Sequence, residues 1–134
     1  MSGAPSPLER SAHRLYVHVA WTTLGQLPLI GRTSRAATEG HVIRQCRRTG
    51  LVPIAVAATA DRIHALVRFP PDESVAALVH RLKAETSASL RAGGHGARWA
   101  GGYAAASVGA GELRDVRRRL ARLGEDELVG TVPR

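Results

Sequence analysis

From Arg14 to Thr22 hydrophobic and polar side chains alternate. Leu15, Val17, Val19 and Trp21 share one face of an extended chain, and Tyr16, His18, Ala20 and Thr22 share the other. A period of two is the signature of a strand with one buried face. Gly25 to Gly31, with Pro28 inside it, interrupts the pattern. Thr33 or Ser34 then stands where a hydroxyl can cap a helix running to about Thr49, with Gly50 as its stop and Ala36, Ile43 and Cys46 as its expected buried stripe. Leu51 to Thr59 is apolar and bounded by turn formers, and Asp61 to Phe69 follows after a short turn, which predicts a hairpin. In its second strand Ile63, Ala65, Val67 and Phe69 face one way, and Arg62, His64, Leu66 and Arg68 the other.

Pro70 and Pro71 end that strand. Ser74 can cap a helix in which Val75, Leu78, Val79, Leu82, Thr86 and Leu90 keep helical spacing. A glycine-rich link from Gly93 to Gly102 carries His95, Arg98 and Trp99 and leads to a small-residue strand over Tyr103 to Val108. The last helix, from about Gly111, would bury Leu113, Val116, Leu120 and Leu123 and display Arg114, Arg117, Arg118 and Arg122. The order β-α-β, β-α-β with right-handed crossovers predicts an α+β, ferredoxin-like sandwich. It would have a four- to five-stranded antiparallel sheet, the first two helices on its greasy face, and a C-terminal helix. One domain over 13–123 is expected, with tails at 1–12 and 124–134. The other sheet face, polar and open, would need water or a partner.

Charge narrows the partner. Nineteen Lys and Arg against eleven Asp and Glu give a net charge of +8, which favours a polyanion such as nucleic acid. Lys83 is the only lysine, so the positive charge is almost all guanidinium, which can grip phosphate in a fork or stack on bases. A GC-rich coding bias accounts for arginine over lysine but not for the excess of positive charge. Cys46 is the single cysteine, which excludes an internal disulfide and a cysteine-rich zinc site. The apolar runs are too short to span a membrane and the N-terminus lacks a signal-peptide core, so a cytoplasmic location without membrane contact is expected.

Leu15-Tyr16-Val17-His18-Val19-Ala20-Trp21-Thr22-Thr23 followed by Pro28-Leu29-Ile30 resembles the opening of the single-tyrosine HUH transposases, including the REP-associated group. Asp61-Arg62-Ile63-His64-Ala65-Leu66-Val67 is similar to their third strand, and Leu78 to Ser87 to the helix after it. Trp99 to Gly109 looks like their fourth strand. The resemblance runs in order and spacing over roughly residues 13 to 123. It implies metal-assisted attack on a DNA phosphodiester: two histidines flanking a hydrophobic residue hold a divalent cation such as Mg or Mn, and a tyrosine on the following helix is the nucleophile. It also implies a homodimer.

The positions that match this machinery are Arg62 and His64 for the histidine pair and Arg119, or a residue next to it, for the tyrosine. Arginine has no lone pair to offer a metal and repels cations. Tyr16 and Tyr103 are the only tyrosines and both fall on strands, while Gln26 and Gln45 are the only glutamines, so the family's glutamine ligand in the last helix is also missing. The expectation is therefore a binder of DNA, single-stranded or hairpin, with the cutting chemistry lost and no cofactor. Its expected contacts are Arg62, His64, Arg68, Arg81, Lys83, Arg98, Arg114, Arg117, Arg118, Arg119 and Arg122. Arg62, with His64, Arg68 and the last helix, would form a phosphate cradle where the metal once sat. Weighed against this, His64 could be a solvated strand residue, the arginine run the wet side of a helix, and Trp99 and Tyr103 core anchors. His18 and His64 together make only a weak metal candidate. An active enzyme using displaced residues, and an RNA-binding or protein-binding module, are the alternatives.

Overall fold

The structure is a computed structural model; it describes residues 15–70, 73–92 and 98–129. The alternation of the first strand is realised directly: β1 (Leu15–Thr22) buries Val17, Val19 and Trp21 and leaves Tyr16, His18, Ala20 and Thr22 half-buried. After it come α1 (Arg35–Arg48), β2 (Val52–Ala58), β3 (Arg62–Phe69), α2 (Val75–Ala92), β4 (Ala104–Val108) and α3 (Leu113–Val129). The four strands form one antiparallel sheet in the order β2-β3-β1-β4, the ferredoxin-like arrangement, with β1 in register between β3 and β4. Thr22 pairs with Arg62, Ala20 with His64 and also with Ala104, and His18 with Leu66 and with Ala106.

Local chemistry explains the boundaries. Gly50 takes a φ of 87° at the end of α1, and the Leu51 amide turns back to the Cys46 carbonyl at 2.9 Å, a left-handed stop that favours glycine. Ser74 caps α2 as expected, its hydroxyl accepting from the Ala77 amide at 3.2 Å. Ser34 precedes α1 but gives no side-chain cap; a 3-10 turn at Arg32–Ser34 feeds the helix instead. Pro53 is tolerated because β2 is an edge strand, and the register slips between Pro53 and Ala55. Ala58, on the same edge, donates its amide to the Glu39 carboxylate at 2.9 Å, which covers part of that edge.

On the inner face α1 and α2 pack over Val19, Trp21, Ile63, Ala65, Val67 and Phe69. The α1 stripe differs from expectation: Thr38, Val42, Gln45 and Cys46 are buried, whereas Ala36 is exposed and Ile43 half-buried. With so few large apolar residues on this helix, the i, i+4, i+7, i+8 set is chosen by contact with the sheet rather than by composition. Burial pushes the Cys46 thiol up to about 12, so it packs as an inert thiol.

The outer face is not fully open. α3 lies across it and makes a second, smaller core in which Val116 and Leu120 pack with Ala57, Leu66 and Val108. Leu66, grouped by alternation with the basic face, is 0% exposed for this reason. α3 also continues past Gly124 to Val129, where the pattern of the chain had suggested a tail.

Candidate nucleic-acid interface

Lying across the outer face, α3 divides it into two grooves. On the β2 side Arg114, Arg117 and Arg118 flank a groove of about 610 Å³ that also touches Ile54 and Asp115. On the other side a cleft of about 340 Å³ is lined by His18, His64, Arg119 and Arg122 over an apolar floor that includes Val116 and Leu120. The two histidines come from neighbouring strands, each two residues from a pairing that would place them opposite one another. That diagonal offset lets His18 Nε2 approach His64 Nδ1 to 3.1 Å, so one imidazole donates to the lone pair of the other. Their rings are tilted, with centroids 5.3 Å apart.

Electrostatics keep both rings neutral. Burial lowers the pKa of His18, and the nearby Arg119 guanidinium lowers it further. His64 is pushed down to about 4, first by burial, then by His18 and Arg62, with Asp61 opposing. The cleft therefore offers fixed charge from arginine and hydrogen bonding from uncharged imidazole.

This donor set does not fit a divalent cation. His64 has a guanidinium, Arg62, at the position two residues along its strand where a second imidazole would be needed. Its actual imidazole neighbour, His18, is hydrogen-bonded to it and faces the cation of Arg119. Among the described residues no three His, Cys, Asp or Glu side chains gather into a metal-binding group. Arg119 stands on α3 beside the histidines and lines the same cleft.

The other expected contacts are scattered. Arg62 does not line the histidine cleft; it opens into an adjoining pocket of about 220 Å³ with Thr22 and Tyr103, although its charge still reaches His64. Arg68 is exposed on the outer face, but six residues along β3 from Arg62, roughly 20 Å at strand rise. A single cradle closed by both is not formed, and the cations are strung along the face instead. Arg81 is exposed on α2, on the opposite side of the sheet, and Arg98 is exposed in the loop whose carbonyl accepts from the Leu24 amide.

Lys83 is a clear correction. It is only 9% exposed, and its Nζ donates to the Ala100 carbonyl at 2.8 Å and the Gly102 carbonyl at 2.7 Å. Burial lowers its pKa, and its role is to hold a loop. Spacing carried the signal: Lys83 stands four residues after Val79 and three before Thr86, on the buried stripe. Trp99 is an anchor, edge-on to Trp21 at 5.8 Å and donating Nε1 to the Lys83 carbonyl at 3.1 Å. Tyr103 remains 36% exposed. The part of the glycine-rich link that carries His95, residues 93–97, lies outside the described residues. No described helix is long and apolar enough to cross a membrane.

Comparison with known proteins agrees with this architecture. No curated protein sequence matches the chain. Among solved structures, a candidate transposase from Deinococcus radiodurans R1 superposes with a TM-score of 0.68 at 16% identity, over 92% of this chain and 98% of that one. A REP-associated tyrosine transposase bound to a REP hairpin gives a TM-score of 0.62 at 11% identity, over 90% of this chain and 70% of that one. At such identities the likeness speaks for the fold alone. The sequence itself is decisive: residues 11–120 match the family model described as IS200-like transposase, and the chain belongs to that family.

Proposed function

We propose that this protein binds nucleic acid, DNA in single-stranded or hairpin form, along the outer face of its sheet and does not cut it. The observation that carries this reading is the composition of the cleft: His64, Arg119 and Arg122 stand together with Arg62 in the adjoining pocket. On the resemblance, Arg62 and Arg119 fall where the family's chemistry needs a metal ligand and a hydroxyl nucleophile. Guanidinium groups bind phosphodiester oxygens in bidentate fashion but neither polarise them as a metal does nor attack them. The likeness to a transposase holding a DNA hairpin supports the choice of DNA.

The protein then follows the backbone by charge. Arg119 and Arg122 border the cleft, Arg114, Arg117 and Arg118 border the groove across the helix, and Arg62 and Arg68 mark the two ends of β3. Affinity from such contacts falls with salt, with a slope of about one logarithmic unit per phosphate neutralised.

Incubation with a labelled DNA hairpin in the presence of manganese tests both halves of the proposal. The expected result is a shifted complex that weakens with salt and no covalent adduct. Arg62→Ala should lower the salt slope by about one unit. An adduct abolished by chelator would overturn the non-cutting reading and favour an enzyme that uses the His18–His64 pair. Retention of RNA but not DNA after nuclease-treated purification would reassign the ligand.

A further inference from the structure

We infer that the pocket between Arg62 and Tyr103 receives one unstacked nucleobase of the bound strand, an inference that rests on the nucleic-acid reading above and adds a subsite to it. At about 220 Å³ the pocket is smaller than the roughly 300–1,000 Å³ typical of sites for drug-sized ligands, and its size suits a single flat ring. Four of its lining residues are small, Ala20, Gly101, Gly102 and Ala104, and leave space beside Trp21. At the walls stand a planar guanidinium, a hydroxyl and an aromatic ring: Arg62, Thr22 and Tyr103. Tyr103 can stack on a heterocycle and the Thr22 hydroxyl can hydrogen-bond to its edge, while the Arg62 guanidinium reaches the neighbouring phosphate.

The pocket is preformed. Lys83 Nζ grips the carbonyls of Ala100 and Gly102 from beneath, and the Trp99 indole is tied to the carbonyl of Lys83 itself. The Ala100 amide donates to the Thr22 carbonyl at 2.9 Å, and Thr23 bridges to Trp99. Gly102 takes a φ of 83°, a turn that sets the chain direction just before Tyr103. A buried cation thus holds the loop still from the inner side while Tyr103 stays 36% exposed at the outer one. Rigid presentation of an aromatic side chain lowers the entropy lost on binding.

Position agrees with the chemistry. Arg62 and His64 are two residues apart on β3, about 6.6 Å at strand rise, and both point to the outer face. A phosphate over His64 and Arg119 therefore lies within one nucleotide of a base in the Arg62 pocket.

The test uses a short single-stranded oligodeoxynucleotide carrying 2-aminopurine at one position at a time. Wild-type protein is expected to change the probe's emission strongly at one position, where the base enters the pocket. Tyr103→Ala, which removes an exposed side chain and should keep the fold, should abolish that change and weaken binding by about tenfold; Tyr103→Phe should preserve both. Wild-type binding that survives Tyr103→Ala with unchanged emission and affinity overturns the base pocket and leaves the nucleic-acid reading standing. Absence of wild-type binding overturns both.

Discussion

The two faces of the sheet are built from alternate residues of the same strands, yet they carry different burdens. On the inner face Val19, Ile63, Ala65 and Val67 are fully buried beneath two helices. On the outer face a single helix covers Leu66 and Ala57 and leaves His18, His64, Arg62 and Arg68 at or near the surface. The lesson is one of separability. With a period of two, residue 62 can be arginine rather than histidine without disturbing a single inner-face contact, so binding and cutting chemistry can change while the fold holds.

The largest effect should come from the inner face. Leu82→Ala empties a fully buried site among several large neighbours, and a loss of about 3 kcal/mol in unfolding free energy is expected. Urea denaturation measures it. Affinity for DNA, corrected for the folded fraction, should not move; a parallel loss of affinity would break the division between the faces.

Somewhat less is expected from Leu120→Ala, about 2 kcal/mol, because the outer core is smaller and α3 can settle toward the sheet. This variant sharpens the comparison from the other side. It should loosen the helix that carries Arg119 and Arg122, so stability and affinity should fall together.

Most of this division was legible in the chain. Strand alternation alone groups His18 and Thr22 on one face of β1 and Arg62 and His64 on one face of β3, because a buried face fixes which residues of a period-two pattern point to the core. Helical spacing on α2 likewise picks out Leu78, Val79, Leu82, Thr86 and Leu90, all buried, because a period of 3.6 keeps them on one face. What escaped depends on three dimensions. Charge makes Lys83 look like a binding cation and its spacing puts it on the buried stripe, but the loop whose two carbonyls its ammonium meets is invisible to spacing. The separation of Arg62 from Arg68, and of Arg62 from the histidine cleft, follows from strand rise and from where α3 crosses, neither of which a list of basic residues contains.

Arg117→Ala with Arg118→Ala should leave stability within about 0.5 kcal/mol, since both side chains are exposed. The salt slope of DNA binding should fall by about two units if both reach phosphate. An unchanged slope would make the groove on the β2 side an ordinary solvated helix face and confine the interface to the histidine side.

The last effect concerns pH and isolates the outer face most cleanly. An unfolded imidazole takes its proton near 6.5, whereas native His64 resists until about 4, and His18 is displaced in the same direction. Between those values the unfolded chain binds more protons than the native one, so stability declines as pH drops from 6.5 toward 4 and is level above that window. Thermal melts across it should show a falling midpoint. His64→Gln should flatten the decline, while Leu82→Ala should shift the whole curve down and leave its slope intact, because the two sites share no partner. Bound DNA should oppose the decline, since a phosphate over the cleft favours the charged imidazole. A midpoint that instead rose on acidification would mean the histidines are already cationic in the native fold, and the outer face would then hold its anion by imidazolium as well as by arginine.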